Sequence, residues 1–207
     1  MNILSWWRGR AVAGAELQEG ERLLEAARRL DQRGEGRAAR RGAGHAVKFL
    51  EQAGRAGFSD RAYLDLRLAE ALLLAGKPEQ AREPAHRAAS SRPYDVDSRI
   101  VHGHVRLALG DLREAAHEFE SVLEEFGGDP DAKAGQLAVA LARGQWTVDG
   151  DETPEDYATA ADVLLSAWDA ADAVRDHIKA LKALPPAGGD PRVVEVVEAS
   201  AKRRARS

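Results

Sequence analysis

Residues 62–95 read AYLDLRLAEALLLAGKPEQAREPAHRAASSRPYD, and residues 96–129 read VDSRIVHGHVRLALGDLREAAHEFESVLEEFGGD. Set one above the other, they place Gly76 over Gly110, and one further step of 34 residues reaches Gly144. In the same register Leu73 falls on Leu107 and Leu141, Ala69 on Gly103, and Ala81 on Ala115. Ala85 falls on Phe119, Ala88 on Val122, and Pro93 on Gly127. One such coincidence is weak, but this many in a single register mark an internal repeat.

Each repeat predicts two helices turned at the recurring glycine. Before Gly76, the residues Leu64, Leu68, Ala71, Leu72 and Ala75 keep helical spacing. Gly76 suits the positive φ that ends a helix, and Pro78 suits the first turn of the next. The second helix presents Ala81, Ala85 and Ala88 on one stripe, small enough for close packing. The second repeat follows the same scheme, with Ala115, Phe119 and Val122 inward. Composition agrees: 40 of the 207 residues are Ala, whereas Phe, Tyr and Trp make up only 5%. Alanine is the best helix former, so an all-α protein is expected rather than a sandwich or barrel rich in β-branched residues.

These residues resemble the tetratricopeptide repeat (TPR) family. The resemblance rests on the 34-residue period, the small Ala69 and Gly103, the turn pairs Gly76-Lys77 and Gly110-Asp111, the inward Ala81 and Ala115, and Pro93. The family's large aromatic early in the first helix is missing, with Asp65 and Arg99 nearby, and Leu72 and Arg106 replace its mid-helix Tyr. The resemblance implies a right-handed α-solenoid of about four helical pairs with a capping helix. Two repeats, 62–95 and 96–129, match well; a third, 130–184, is broken by an acidic insertion at 145–154. Upstream, 14–58 reads as a degenerate leading pair with a long loop at Gly34–Gly44, preceded by a Trp-rich segment at 1–13. Downstream, 185–207 reads as a loop, a capping helix carrying Val193, Val194, Val196 and Val197, and a basic tail. The helix beginning at Pro154 is expected to run to about Leu184.

In TPR proteins the first helix of each pair lines a concave face. Carried onto matching positions, that face takes Tyr63, Leu66, Glu70 and Leu73, then Asp97, Ile100, His104 and Leu107, then Asp131, Ala134, Ala138 and Leu141. An apolar floor with scattered acids suits a short helix or an extended peptide of a partner protein. The competing reading is that the chain's own N-terminus or last helix fills the groove. A clamp for a partner's terminal carboxylate would need cations, and Leu66, Glu70, Ile100 and Val101 supply none.

The sequence excludes several chemistries. There is no Cys, hence no disulfide, thiolate metal site or thiol nucleophile. No nucleophile–base constellation, phosphate-cradling loop or HExxH pair occurs, so no catalytic residue, metal, cofactor or small-molecule substrate is assigned. His102 and His104 diverge by about 200° around a helix and cannot share an ion; His102 is expected between the helices of its pair and His104 in the groove. Asp149-Gly-Asp-Glu152 lacks the alternating ligands of an EF-hand.

Net charge is −4 but unevenly spread: +5 over 28–48, −11 over 111–162, and +4 over the tail from Lys202 to Arg206. Nucleic-acid binding through the arginine-rich 28–48 segment is a minority reading, because no stacking aromatics are interleaved. Ile3, Leu4, Trp6 and Trp7, followed by Arg8 and Arg10, suit a membrane interface, a docking segment, or a cap on the first helix. With no apolar run of spanning length and no secretory leader, a cytoplasmic, non-enzymatic adaptor or scaffold is the expectation.

Overall fold

The computed structural model describes residues 3–148, 151–169 and 188–205, with the backbone alone at 3–10, 168–169 and 204–205. Among the described residues there are helices and no strand: α1 Ile3–Gln32, α2 Gly36–Arg55, α3 Arg61–Leu74, α4 Pro78–Ser91, α5 Val96–Ala108, α6 Leu112–Phe126, α7 Pro130–Ala142, α8 Pro154–Asp169 and α9 Pro191–Ala205. They pack in succession, α1 on α2, α3 on α4 and α7 on α8, with α9 against α8. Side chains join α5 to α6, among them Arg99 Nη1 to Glu125 Oε2 at 2.7 Å. This is the series of helical hairpins that the repeat predicts. The chain divides into two compact units, Met1–Ser98 and Arg99–Ser207.

The repeat works through its turns. Gly76, Gly110 and Gly144 sit at φ 75°, 79° and 80°, where an L side chain is strained. Each N–H returns to the carbonyl three residues back, and the following N–H to the carbonyl five back. Gly76 donates to Leu73 at 3.0 Å and Lys77 to Leu72 at 2.9 Å. Gly144 donates to Leu141 at 3.0 Å and Gln145 to Ala140 at 2.9 Å, so the third corner keeps the geometry of the first. Aspartates begin the helices that lead into two of these corners. Asp60 accepts from the Tyr63 N–H at 3.0 Å, and Asp129 accepts from Asp131 and Ala132 at 3.0 and 2.9 Å.

In the first unit, α1 and α2 lie very close. A methyl group at Gly20 would stand 2.9 Å from the Leu50 side chain, and one at Gly42 would stand 3.3 Å from the Ala27 Cβ. These glycines serve close helix approach, which corrects the expected loop over Gly34–Gly44: the chain turns at 33–35 and is helical from Gly36. Similarly, α1 begins at Ile3 rather than Gly14, since Ala11, Ala13 and Ala15 favour continued helix. A polar ladder links α1 to α3. The Tyr63 hydroxyl donates to Glu21, Arg67 lies 4.9 Å from the centre of the Tyr63 ring, and Arg28 Nη2 reaches Glu70 Oε1 at 2.6 Å.

In the second unit the core closes around Phe119, which is fully buried. A Cβ at Gly103 on α5 would come within 2.7 Å of its ring, and one at Gly135 on α7 within 2.4 Å. The ring therefore fills space that both helices leave open by carrying glycine. The first repeat solves the same position with Ala69 and Ala85, both fully buried. In α9, Val193, Val197, Ser200 and Ala201 are buried, while Val194 and Val196 are half-buried. The expected run of α8 to Leu184 and the tail beyond Ala205 lie outside the described residues.

Candidate functional site

Half of the twelve groove positions are core. Leu66, Ile100, Leu107, Ala134, Ala138 and Leu141 are all buried, at 8% exposure or less. Large apolar side chains at a helix face bury wherever a neighbour is offered, and here each has one. These positions do not form the open apolar floor that the resemblance implies. Tyr63 and Glu70 are half-buried and engaged with Glu21 and Arg28 of α1. Leu73 and His104 are half-buried; Asp97 and Asp131 are exposed. The side chains of Ile3, Leu4, Trp6 and Trp7 lie outside the described ones. No described helix is long and apolar enough to cross a membrane.

His102 stands between the helices of its pair, as expected, with Nδ1 3.0 Å from Glu118 Oε1. Burial is the largest influence on Glu118 and acts upward, yet the hydrogen bond from His102 and the nearby positive charges hold its carboxyl below the usual range. His104 meets the Phe119 ring edge-on, centroids 5.3 Å apart. Burial pushes its imidazole down to about 4, which leaves it neutral near pH 7 and unsuited to a contact that switches there. The unfolded chain takes up a proton near pH 6.5 that the folded chain refuses, so stability falls as pH drops from 6.5 towards 4. On the order of 2 kcal/mol should be lost through this group between pH 7 and pH 5. Urea unfolding at both pH values should show this difference in the wild type and a smaller one in His104→Asn; equal differences would contradict it.

The second unit holds a cleft of about 510 Å³ that no motif announced. Its walls come from α6, α7, the insertion after Gly144, the start of α8, and Gly188-Gly189. Local chemistry shapes each wall. Past Gly144 the chain turns inward and buries Trp146 to 4% exposure. The Trp146 carbonyl accepts the Asp190 N–H at 2.7 Å, which fastens the loop before α9 to the insertion. The Tyr157 hydroxyl donates to the Thr147 carbonyl and ties the insertion to α8. Thr153 and Asp156 cap α8 reciprocally, and Lys133 Nζ reaches Asp156 Oδ2 at 3.1 Å, joining α7 to α8. Hydrogen bonds from the Thr153 backbone and from Lys133 lower the Asp156 carboxyl.

The lining mixes apolar surface from Leu137, Val139 and Ala140 with the amides of Gln136 and Gln145 and the carboxylates of Glu120 and Glu152. Arg143 stands at one side and donates to the Leu112 carbonyl at 3.0 Å. Glu152 Oε2 is buried and has no hydrogen-bond partner. A second depression, about 520 Å³, lies beyond Arg143 and is lined by His102, Arg106, Arg113 and His117 with Glu114 and Glu118. Several of its charged groups are paired: Arg106 with Asp111, Arg113 with Glu114, and His102 with Glu118, each at 3.0 Å. The first cleft keeps the orphaned carboxylate oxygen and is the candidate site. Its one sequence-level trace was an aromatic pair, Trp146 and Tyr157, flanking a loop of acids.

No family model matches the sequence, and no curated protein matches it. Among solved structures, the chain is similar to the crystal structure of YrrB, described as a TPR protein with an unusual peptide-binding site. The two are 21% identical, with 81% of this chain and 90% of that chain covered and a TM-score of 0.49.

Proposed function

We propose that this chain is a non-enzymatic interaction protein that holds a segment of a partner polypeptide in the cleft of its second unit. The observation that carries the reading is the cleft's lining: two side-chain amides and the glycines Gly144, Gly188 and Gly189 beside apolar patches. Amides offer a donor and an acceptor together, which matches the alternating groups of an extended main chain. Glycine brings backbone close to a ligand. A volume of about 510 Å³ lies in the range of ligand pockets and accommodates a few residues. The cleft's Tyr157 hydroxyl and Arg143 guanidinium are tied to main-chain carbonyls, which suits positioning of the walls rather than acid–base work.

The test is peptide selection from a random displayed library on the full chain, followed by affinity measurement on wild type and Ala140→Trp. Ala140 is half-buried and lines the cleft, so an indole there fills it from the solvent side. The selected peptides should lose about tenfold or more in affinity, with helicity and melting temperature kept; a tenfold loss corresponds to about 1.4 kcal/mol. Equal binding to both proteins, or no enriched peptide, would remove the cleft as the site.

A further inference from the structure

Building on that reading, we infer that the cleft selects a segment carrying a basic side chain, whose guanidinium or ammonium group answers the Glu152 carboxylate. Glu152 is a half-buried carboxylate of the cleft lining whose Oε2 is turned into the wall without a donor. A carboxylate oxygen removed from water and left unmade is costly, and a charged donor relieves that cost most strongly. Arg143, which also lines the cleft, directs Nη2 to the Leu112 carbonyl at 3.0 Å and makes no bond to Glu152 Oε2. The other nearby cation, Lys133, is bound to Asp156 at 3.1 Å.

Three further features favour a cation over an amide or hydroxyl. Glu120 lines the same cleft, so a second carboxylate adds to the field an entering group meets. The stretch 111–162, which supplies most of the cleft's walls, carries fourteen acidic residues against three basic ones, a balance that favours the approach of cations. The apolar patch of Leu137, Val139 and Ala140 gives a Lys or Arg stem something to lie along while its charged head reaches the carboxylate. An acidic segment would meet Glu152 and Glu120 as like charges, so the same arrangement rejects it.

The experiment follows the Trp146 indole and the amides of 136–147 by NMR on the full-length protein. The probes are the capped tripeptides acetyl-Ala-Arg-Ala-amide, acetyl-Ala-Lys-Ala-amide, acetyl-Ala-Leu-Ala-amide and acetyl-Ala-Glu-Ala-amide. The Arg and Lys peptides should shift these resonances saturably, the Leu peptide about tenfold more weakly, and the Glu peptide least. Glu152→Gln should lower affinity for the Arg peptide by about tenfold and leave the Leu peptide unchanged. If the Arg and Leu peptides bind the wild type alike, the cation preference is overturned while the cleft remains a peptide site. If Glu152→Gln leaves the Arg peptide unaffected, Glu152 is not its partner and the inference fails. If no tripeptide moves these resonances, the inference falls; selected peptides that Ala140→Trp weakens would still uphold the cleft itself.

Discussion

Phe119→Ala is expected to destabilise the second unit by about 3–5 kcal/mol, the usual cost of emptying a large aromatic site in a core. The ring is fully buried and wedged where α5 and α7 carry Gly103 and Gly135. Removing it leaves those two helices facing a void that glycine cannot fill. The complement is equally specific. Gly135→Ala alone places a methyl group 2.4 Å from the ring and should destabilise, because the ring has nowhere to move. In the Phe119→Ala background the same methyl enters empty space and should be neutral or stabilising. A double-mutant cycle by urea unfolding reads the coupling directly. Additive effects would mean that Phe119 does not span the gap between these helices.

The second large effect concerns Leu66 and Ile100. As groove residues, they would accept Glu with the fold intact and only partner binding lost. Their burial reverses that expectation: Leu66 is 3% exposed and Ile100 is 8% exposed. A carboxylate introduced there has no partner, and its burial should cost on the order of 4 kcal/mol or more. Leu66→Glu and Ile100→Glu should therefore lose helicity and melt early by circular dichroism. Unchanged melting curves would return both side chains to an open surface and restore the groove assignment.

The pattern of agreement follows from which interactions are local. The corners at Gly76, Gly110 and Gly144 were legible because a left-handed turn admits few residues, and a glycine repeating every 34 positions has no simpler cause. Helices α3 to α7 were legible because their apolar spacing is carried within each helix. The glycines of 34–44 misled because the same residue has two uses. At Gly34 it turns the chain at φ 78°, whereas at Gly42 it lets Ala27 approach. The Phe119 wedge was half visible: Ala69 and Ala85 become Gly103 and Phe119 one repeat later, a compensating exchange of volume. The groove floor was misplaced because a positional template names the face without saying whether it is covered, while its Leu and Ile content already spoke for burial. The cleft was hidden because its walls meet through tertiary contacts that no local pattern records, among them the Asp190 N–H on the Trp146 carbonyl, the Tyr157 hydroxyl on the Thr147 carbonyl and Lys133 on Asp156.

The most direct test of the cleft reading is photo-crosslinking of a library-selected peptide, carrying benzoylphenylalanine, to the full chain, with adducts mapped by mass spectrometry. Adducts are predicted within 136–147 and 152–157, the walls around Trp146. Adducts confined to Tyr63, Glu70 and Leu73 on α3, with none near the insertion, would contradict the account and place the partner on the first unit instead.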